Sequence, residues 1–144
     1  MEWRCEHTIE AAADPGVVWQ LFRDVPGWPR WNAGAERIDI AGPFQTGTEF
    51  RMTVPGPERQ TLTSRLLAVA EGESFEDETR VGDVVVRVLH RVRPTGAGRC
   101  RIAFSLVAVG PDRAEVGGAA SADFPDVLKA LARVAEETRR SEGR

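Results

Sequence analysis

The chain has 144 residues, 42% of them hydrophobic and 28% charged, with a formal net charge of -3. That length suits one domain spanning 1-144, able to bury an apolar core without disulfides or metals. The slight acidic excess, with basic residues scattered among acidic ones, excludes the electrostatic footprint of a nucleic-acid or anionic-membrane binder. No stretch approaches the roughly 20 apolar residues of a bilayer span, and Met1 to Ile9 lacks a signal-peptide core, so a cytoplasmic protein is expected.

The segment Glu2 to Glu10 alternates, with Trp3, Cys5, His7 and Ile9 on one side, which is the period of a half-buried strand. Asp14 before Pro15 reads as an N-cap with proline in the first helical position. Val18, Leu21, Phe22 and Val25 then mark the apolar face of a short helix ending near Asp24. Pro26, Gly27 and Pro29 forbid smooth continuation, which leaves Trp28 and Trp31 on a second broken turn or a loop, packed under a sheet edge or rimming a cavity mouth.

Six strand-like segments follow: Glu36 to Ala41, Thr48 to Val54, Arg59 to Ala70, Ser74 to Thr79, Asp83 to Arg93 and Arg99 to Val109. The Gly- and Pro-bearing turns between them are too short for parallel crossovers, so an antiparallel meander is predicted. Gly110-Pro111 ends the sheet, and the Gly- and Ala-rich stretch to Ser121 reads as a loop or the frayed start of the last helix. In that helix Phe124, Val127, Leu128, Leu131, Val134, Ala135 and Thr138 recur at helical spacing opposite a charged face.

Parity along Asp83 to Arg93 turns Val84, Val86, Val88, His90 and Val92 to one face. His90 there is either a core histidine satisfied by hydrogen bonds or a cavity group able to exchange a proton near neutral pH. Counting through the turns adds Cys100, Ile102, Phe104 and Leu106 from one side and Phe75, Asp77 and Thr79 from the other. Phe50 and Met52 would then face Thr61, Thr63, Arg65, Leu67 and Val69, placing Arg65 inward, diagonally across from Asp77, where the two could form an interior ion pair. One bulge in the long strand would instead flip Arg65 out and bring Leu62 and Leu66 in. If Arg65, Asp77 and His90 share a cavity they are candidate catalytic groups, with Arg65 donating to an anionic oxygen and His90 as acid or base; otherwise they form a structural polar network. His7 reads as a satisfied first-strand residue. Cys5 and Cys100 read as reduced thiols, neighbours if the first and last strands pair, and neither a metal site nor a cofactor is expected.

The stretch Ile9 to Phe22, the run Trp28-Pro29-Arg30-Trp31, Phe75 to Thr79, His90-Arg91-Val92 and Gly98 to Arg101 leading to Gly110-Pro111 together resemble the START-like, helix-grip (SRPBCC) superfamily, in its polyketide cyclase/dehydrase and lipid-transport branch. The resemblance covers nearly the whole chain. It implies an α+β fold: a curved, seven-stranded antiparallel sheet wrapped around a long C-terminal helix, with two short helices after the first strand and a deep cavity for a hydrophobic molecule. The expected ligand-binding residues are Phe50, Met52, Arg65, Phe75, Asp77, Val88, His90, Ile102 and Phe104 on the sheet, Phe124, Leu128 and Leu131 on the helix, and Trp28 and Trp31.

Members of the superfamily range from passive carriers to aromatase/cyclases, so fold alone leaves function open. The first reading is a monomeric or homodimeric binder of a small hydrophobic, polyaromatic or lipid-like ligand. The second is a polyketide cyclase/aromatase or dehydratase acting on an enolisable carbonyl, weakened by the complete lack of tyrosine. The third is a partner-binding module using the outer face of the sheet or its edge strand, which exposed Leu62 and Leu66 would favour.

Overall fold

In the computed structural model, which describes residues 1–58 and 60–142, the strands are β1 (Glu2–Ala11), β2 (Arg37–Ile40), β3 (Glu49–Val54), β4 (Gln60–Ala70), β5 (Ser74–Val81), β6 (Val84–Gly96) and β7 (Arg99–Val109). Helix α1 (Pro15–Arg23) and a 3-10 helix (Val25–Arg30) follow β1, and α2 (Arg113–Ser121) and α3 (Phe124–Glu142) close the chain. The seven strands form one curved antiparallel sheet in the order β1-β7-β6-β5-β4-β3-β2. The third predicted strand was expected from Arg59, which lies outside the described residues.

Asp14 occupies the N-cap and Pro15 the first helical position of α1, but the Asp14 side chain makes no capping hydrogen bond. The stretch before Ser121, left open between loop and frayed helix, is the helix α2. Its packing explains its small residues: a Cβ on Gly117 would run into the ring of Trp3, so α2 rests directly on β1. On α3, Leu128, Leu131 and Ala135 are fully buried, and their face closes the core against β1 and α1.

Register decides which side chains share the inner face. β3 and β4 pair Phe50 with Ser64 and Met52 with Leu62, one residue away from the expected phase. A shift between Leu66 and Ala68 then reconciles β4 with β5, where Leu66 meets Asp77 and Val69 meets Phe75. The strand therefore presents Leu62, Ser64 and Leu66 inward, while Arg65 lies exposed on the outer face. The predicted inward placement of Arg65 is overturned by that bulge. Leu62 and Leu66 are consequently not exposed, and the outer face loses the feature that would have marked it as a docking surface.

From β5 to the middle of β7 the pairing is regular, and the one irregularity, between Pro94 and Gly96, lies beyond these rows at the β6–β7 hairpin. Asp77 faces Val88, Thr79 faces Val86 and Phe75 faces His90; Val88 faces Leu106 and His90 faces Phe104. β1 completes the rows, with Cys5 opposite Leu106 and His7 opposite Phe104. The first and last strands do pair, yet Cys100 sits opposite Ala11 and both thiols are free. Six residues of strand separate their rows, about 20 Å at the usual rise.

Candidate functional site

Between the sheet and the helices lies a recess of about 310 Å³. Its sheet wall is built from three adjacent rows of that inner face. Phe50, Ser64, Thr79 and Val86 form one; Asp77, Val88 and Leu106 form the next; His90 and Phe104 form the third. Met52, Val54, Leu62 and Val81 extend the wall towards the β3–β4 edge. Ala119 and Ala120 of α2 and Phe124 and Val127 of α3 form the opposite wall, and Trp28, Trp31, Asn32 and Gly34 close one side.

Ala119, Ala120 and Asp123 are the exposed members of this lining and mark where the recess opens to solvent. There the segment after the 3-10 helix meets the α2–α3 junction. Asn32 Oδ1 accepts a hydrogen bond from the Gly34 N–H at 3.0 Å, and a Cβ on Gly34 would lie 2.9 Å from Asp123 Oδ2. A larger residue there would have to displace the Asp123 carboxylate. Partial desolvation pushes the Asp123 carboxyl above its ordinary pKa, against the effect of its own backbone hydrogen bond and with a lesser contribution from the Asp126 charge.

Deeper in, four polar side chains interrupt the apolar lining. Ser64 Oγ and Thr79 Oγ1 satisfy one another at 2.5 Å. Asp77, 8% exposed, sits on the next row, and among the described residues no hydrogen bond or ion pair reaches its carboxyl. Burial, with the neighbouring Glu76 charge a lesser cause, pushes that carboxyl up from 3.8 to about 7. It is therefore poised between acid and carboxylate at neutral pH.

His90 has the opposite fate. Its ring stacks on Phe75 at 4.0 Å between centroids and 7° between planes, and it meets Phe104 edge-on at 4.7 Å. Its Nδ1 lies 3.4 Å from the Phe75 carbonyl oxygen, which can only accept, so Nδ1 carries the proton. Burial lowers its pKa from 6.5 to about 3, against the opposing effect of hydrogen bonds to the backbone of Phe75 and Val88. His90 is thus an uncharged ring within an aromatic box at neutral pH.

The two tryptophans differ in the same way. Trp28 Nε1 donates to the Phe22 carbonyl at 3.0 Å. Among the described residues Trp31 Nε1 is buried with no acceptor, although the ring lines the recess. Such an orphaned donor costs on the order of 1–3 kcal/mol unless something supplies an oxygen.

Of the residues expected at the ligand, Trp28, Trp31, Phe50, Met52, Asp77, Val88, His90, Phe104 and Phe124 line this recess. The others do not. Arg65 is on the far face of the sheet, for the reason of register given above. Phe75 is fully buried beneath His90, Trp28, Phe22 and Phe44. Ile102, Leu128 and Leu131 belong to packed core away from the opening. Ser64 was missed because it lies just before the bulge and takes the phase that the bulge imposes, the phase in which Leu62 was the alternative to Arg65, and Asn32 and Asp123 because they sit in connections whose geometry no periodicity describes. His7 meets the Phe124 ring edge-on, at 6.1 Å, outside the lining. Burial, with nearby acidic charges as lesser causes, raises the Cys100 thiol to about 11, which leaves it un-ionised and unreactive. Among the described residues no cluster of three or more His, Cys, Asp or Glu is arranged to hold a metal, and no helix is long and apolar enough to cross a membrane.

A seven-stranded sheet gripping a C-terminal helix over such a recess defines the helix-grip class. The chain belongs to the family described as polyketide cyclase/dehydrase and lipid transport, whose model matches residues 2–136. No curated protein sequence matches it. Among solved structures it is similar to the Zhui aromatase/cyclase from Streptomyces sp. R1128, with a TM-score of 0.85 and 20% identity over 99% of both chains. A START superfamily protein from Mycobacterium smegmatis gives 0.77 and 16%, covering 94% of this chain and 98% of that one. Norcoclaurine synthase from Thalictrum flavum gives 0.73 and 20%, covering 93% and 86%. At these identities the likeness establishes the fold.

Proposed function

We propose that the protein binds a compact aromatic or otherwise apolar ligand in the recess between sheet and helices. The observation that carries this reading is an internal space of about 310 Å³ whose walls are mainly aromatic and aliphatic and hold few polar groups. That volume is at the lower end of small-molecule sites, which favours one or two fused rings over a long acyl chain. Asp77 offers the ligand an acceptor as carboxylate and a donor as acid. Naphthol should bind saturably at one site, read by calorimetry and by fluorescence of the two lining tryptophans. Val88→Trp, which fills the space from the middle row, should weaken it at least about a hundredfold without lowering thermal stability. Failure of any neutral one- or two-ring aromatic to bind, or equal binding by the filled variant, rules the reading out.

A second reading, cyclisation or dehydration of a carbonyl substrate, is favoured by the carboxyl held near pKa 7 inside the recess. Asp77 replaces His90 as the acid/base group in it, because His90, at about 3, has no proton to spare beyond its Nδ1–H. Arg65, remote from the recess, has no part in it. With an aldol-competent polyketide mimic, Asp77→Asn should lower kcat at least about a hundredfold, whereas His90→Gln should act mainly on KM. Unchanged kcat in Asp77→Asn removes this mechanism.

A further inference from the structure

The charge inventory of the recess is one-sided. Its lining contains two carboxyls, Asp77 and Asp123, and neither lysine nor arginine. His90 adds no positive charge at neutral pH, and Arg65 lies across the sheet. Asp77 is 8% exposed and, among the described residues, unpartnered on the inner face of β5, so what little surface it shows is turned to the recess. An unpaired buried carboxyl is costly to a fold, and where it persists it needs a partner or a reason.

We infer that the ligand taken by this recess carries a protonated amine on its aromatic or apolar frame, with Asp77 receiving the ammonium group. The inference rests on the cavity reading proposed above. An anionic ligand, such as a fatty acid, would meet two carboxyls and no counter-charge. A neutral one would fit, but it would gain nothing from the charge that Asp77 carries once it is ionised. A cation meets carboxylate at one point and aromatic rings elsewhere, and Trp28, Trp31, Phe50, Phe104 and Phe124 supply those rings. Burying an ion pair ordinarily costs the desolvation of both partners. Here the carboxyl is already stripped of water in the folded protein, so only the amine loses its shell on entry.

The test compares three ligands that share a ring and differ in charge: naphthylethylamine, naphthylethanol and naphthylacetate, titrated calorimetrically into the full chain at pH 8. The amine should bind at least about tenfold more tightly than the alcohol, and the carboxylate at least about tenfold more weakly. In Asp77→Asn, which keeps the shape, the amine-to-alcohol ratio should fall to about one, while Asp123→Asn should alter it less. The wild-type series decides the matter even if a variant fails to fold. If the alcohol binds and the amine binds no more tightly, or the carboxylate matches it, the amine inference is overturned and the cavity reading stands. If none of the three binds, both fall.

Discussion

Asp77→Asn should leave the protein more stable than wild type at pH 8 and give it an acid-sensitive stability that the wild type largely lacks. Asp77 has a folded pKa raised from 3.8 to about 7. Between those values the folded protein holds a proton that the unfolded chain has released, so this contribution is greatest below pH 3.8 and is lost as pH rises through about 7. The loss is on the order of 4 kcal/mol. His90 works in the other direction. Its folded pKa is depressed from 6.5 to about 3, so its contribution is complete above pH 6.5 and is lost as pH falls towards 3. Between about pH 4 and 6.5 the two slopes oppose and nearly cancel.

Removing the carboxyl exposes the histidine slope alone: Asp77→Asn should lose on the order of 3 kcal/mol relative to wild type between pH 6.5 and 4. His90→Gln should show the mirror image, a decline as pH rises from 4 to 7. Urea midpoints across this range measure both, and the exposed ion pairs of the outer face are common to all three proteins. Parallel curves for wild type and Asp77→Asn would mean that the carboxyl is not held protonated by burial.

Phe75→Ala should be among the most damaging single truncations, costing about 3–5 kcal/mol and lowering Tm by roughly 10–15 °C. Phe75 is fully buried. Its ring stacks on His90 and on Trp28, at 4.0 and 5.6 Å, and meets Phe22 and Phe44 edge-on at 5.1 and 5.2 Å. Each such pair adds about 0.5–1.5 kcal/mol beyond area burial. The lost ring would also open the far side of the imidazole, so the His90 pKa should rise towards 6.5, readable by NMR titration of its ring protons. Phe75→Leu should cost markedly less. A loss below about 1.5 kcal/mol in Phe75→Ala would show that the aromatic box collapses around the gap and is not a rigid support for the recess wall.

The sheet was legible wherever alternation ran unbroken. The run from Val84 to Val92 turns every second residue inward, and the hairpin to β7 carries the same phase across, so His90, Val88, Phe104 and Asp77 could be placed by counting. Counting fails where the chain gains or loses one residue of phase, and Arg65 is the case in point. The bulge between Leu66 and Ala68 exchanges the two faces of β4 and brings Ser64 in where Arg65 was expected. No side chain in that strand announces it. The helix α3 was legible as amphipathic, but amphipathicity says only that Leu128 and Leu131 are buried, not whether they border a space or a neighbour. The aromatic enclosure that keeps His90 neutral depends on Phe22 and Trp28 arriving from α1 and the 3-10 helix, contacts that no spacing reveals.

The pairing of β1 with β7 also orders events in time. Glu2 finds its ladder partner at Val109 and Ala11 at Cys100, so nothing in β1 can form its sheet hydrogen bonds until β7, the last strand, has been made. On a ribosome the apolar side of β1, with Trp3, Cys5 and Ile9, waits without a partner while β2 to β6 are synthesised. The loop that must then close is long, and its entropy is met before any β1 contact repays it. The edge strand that finishes the sheet is thus both the first to be translated and dependent on the last strand made, and the seat for Gly117 on Trp3 exists only once that closure is complete.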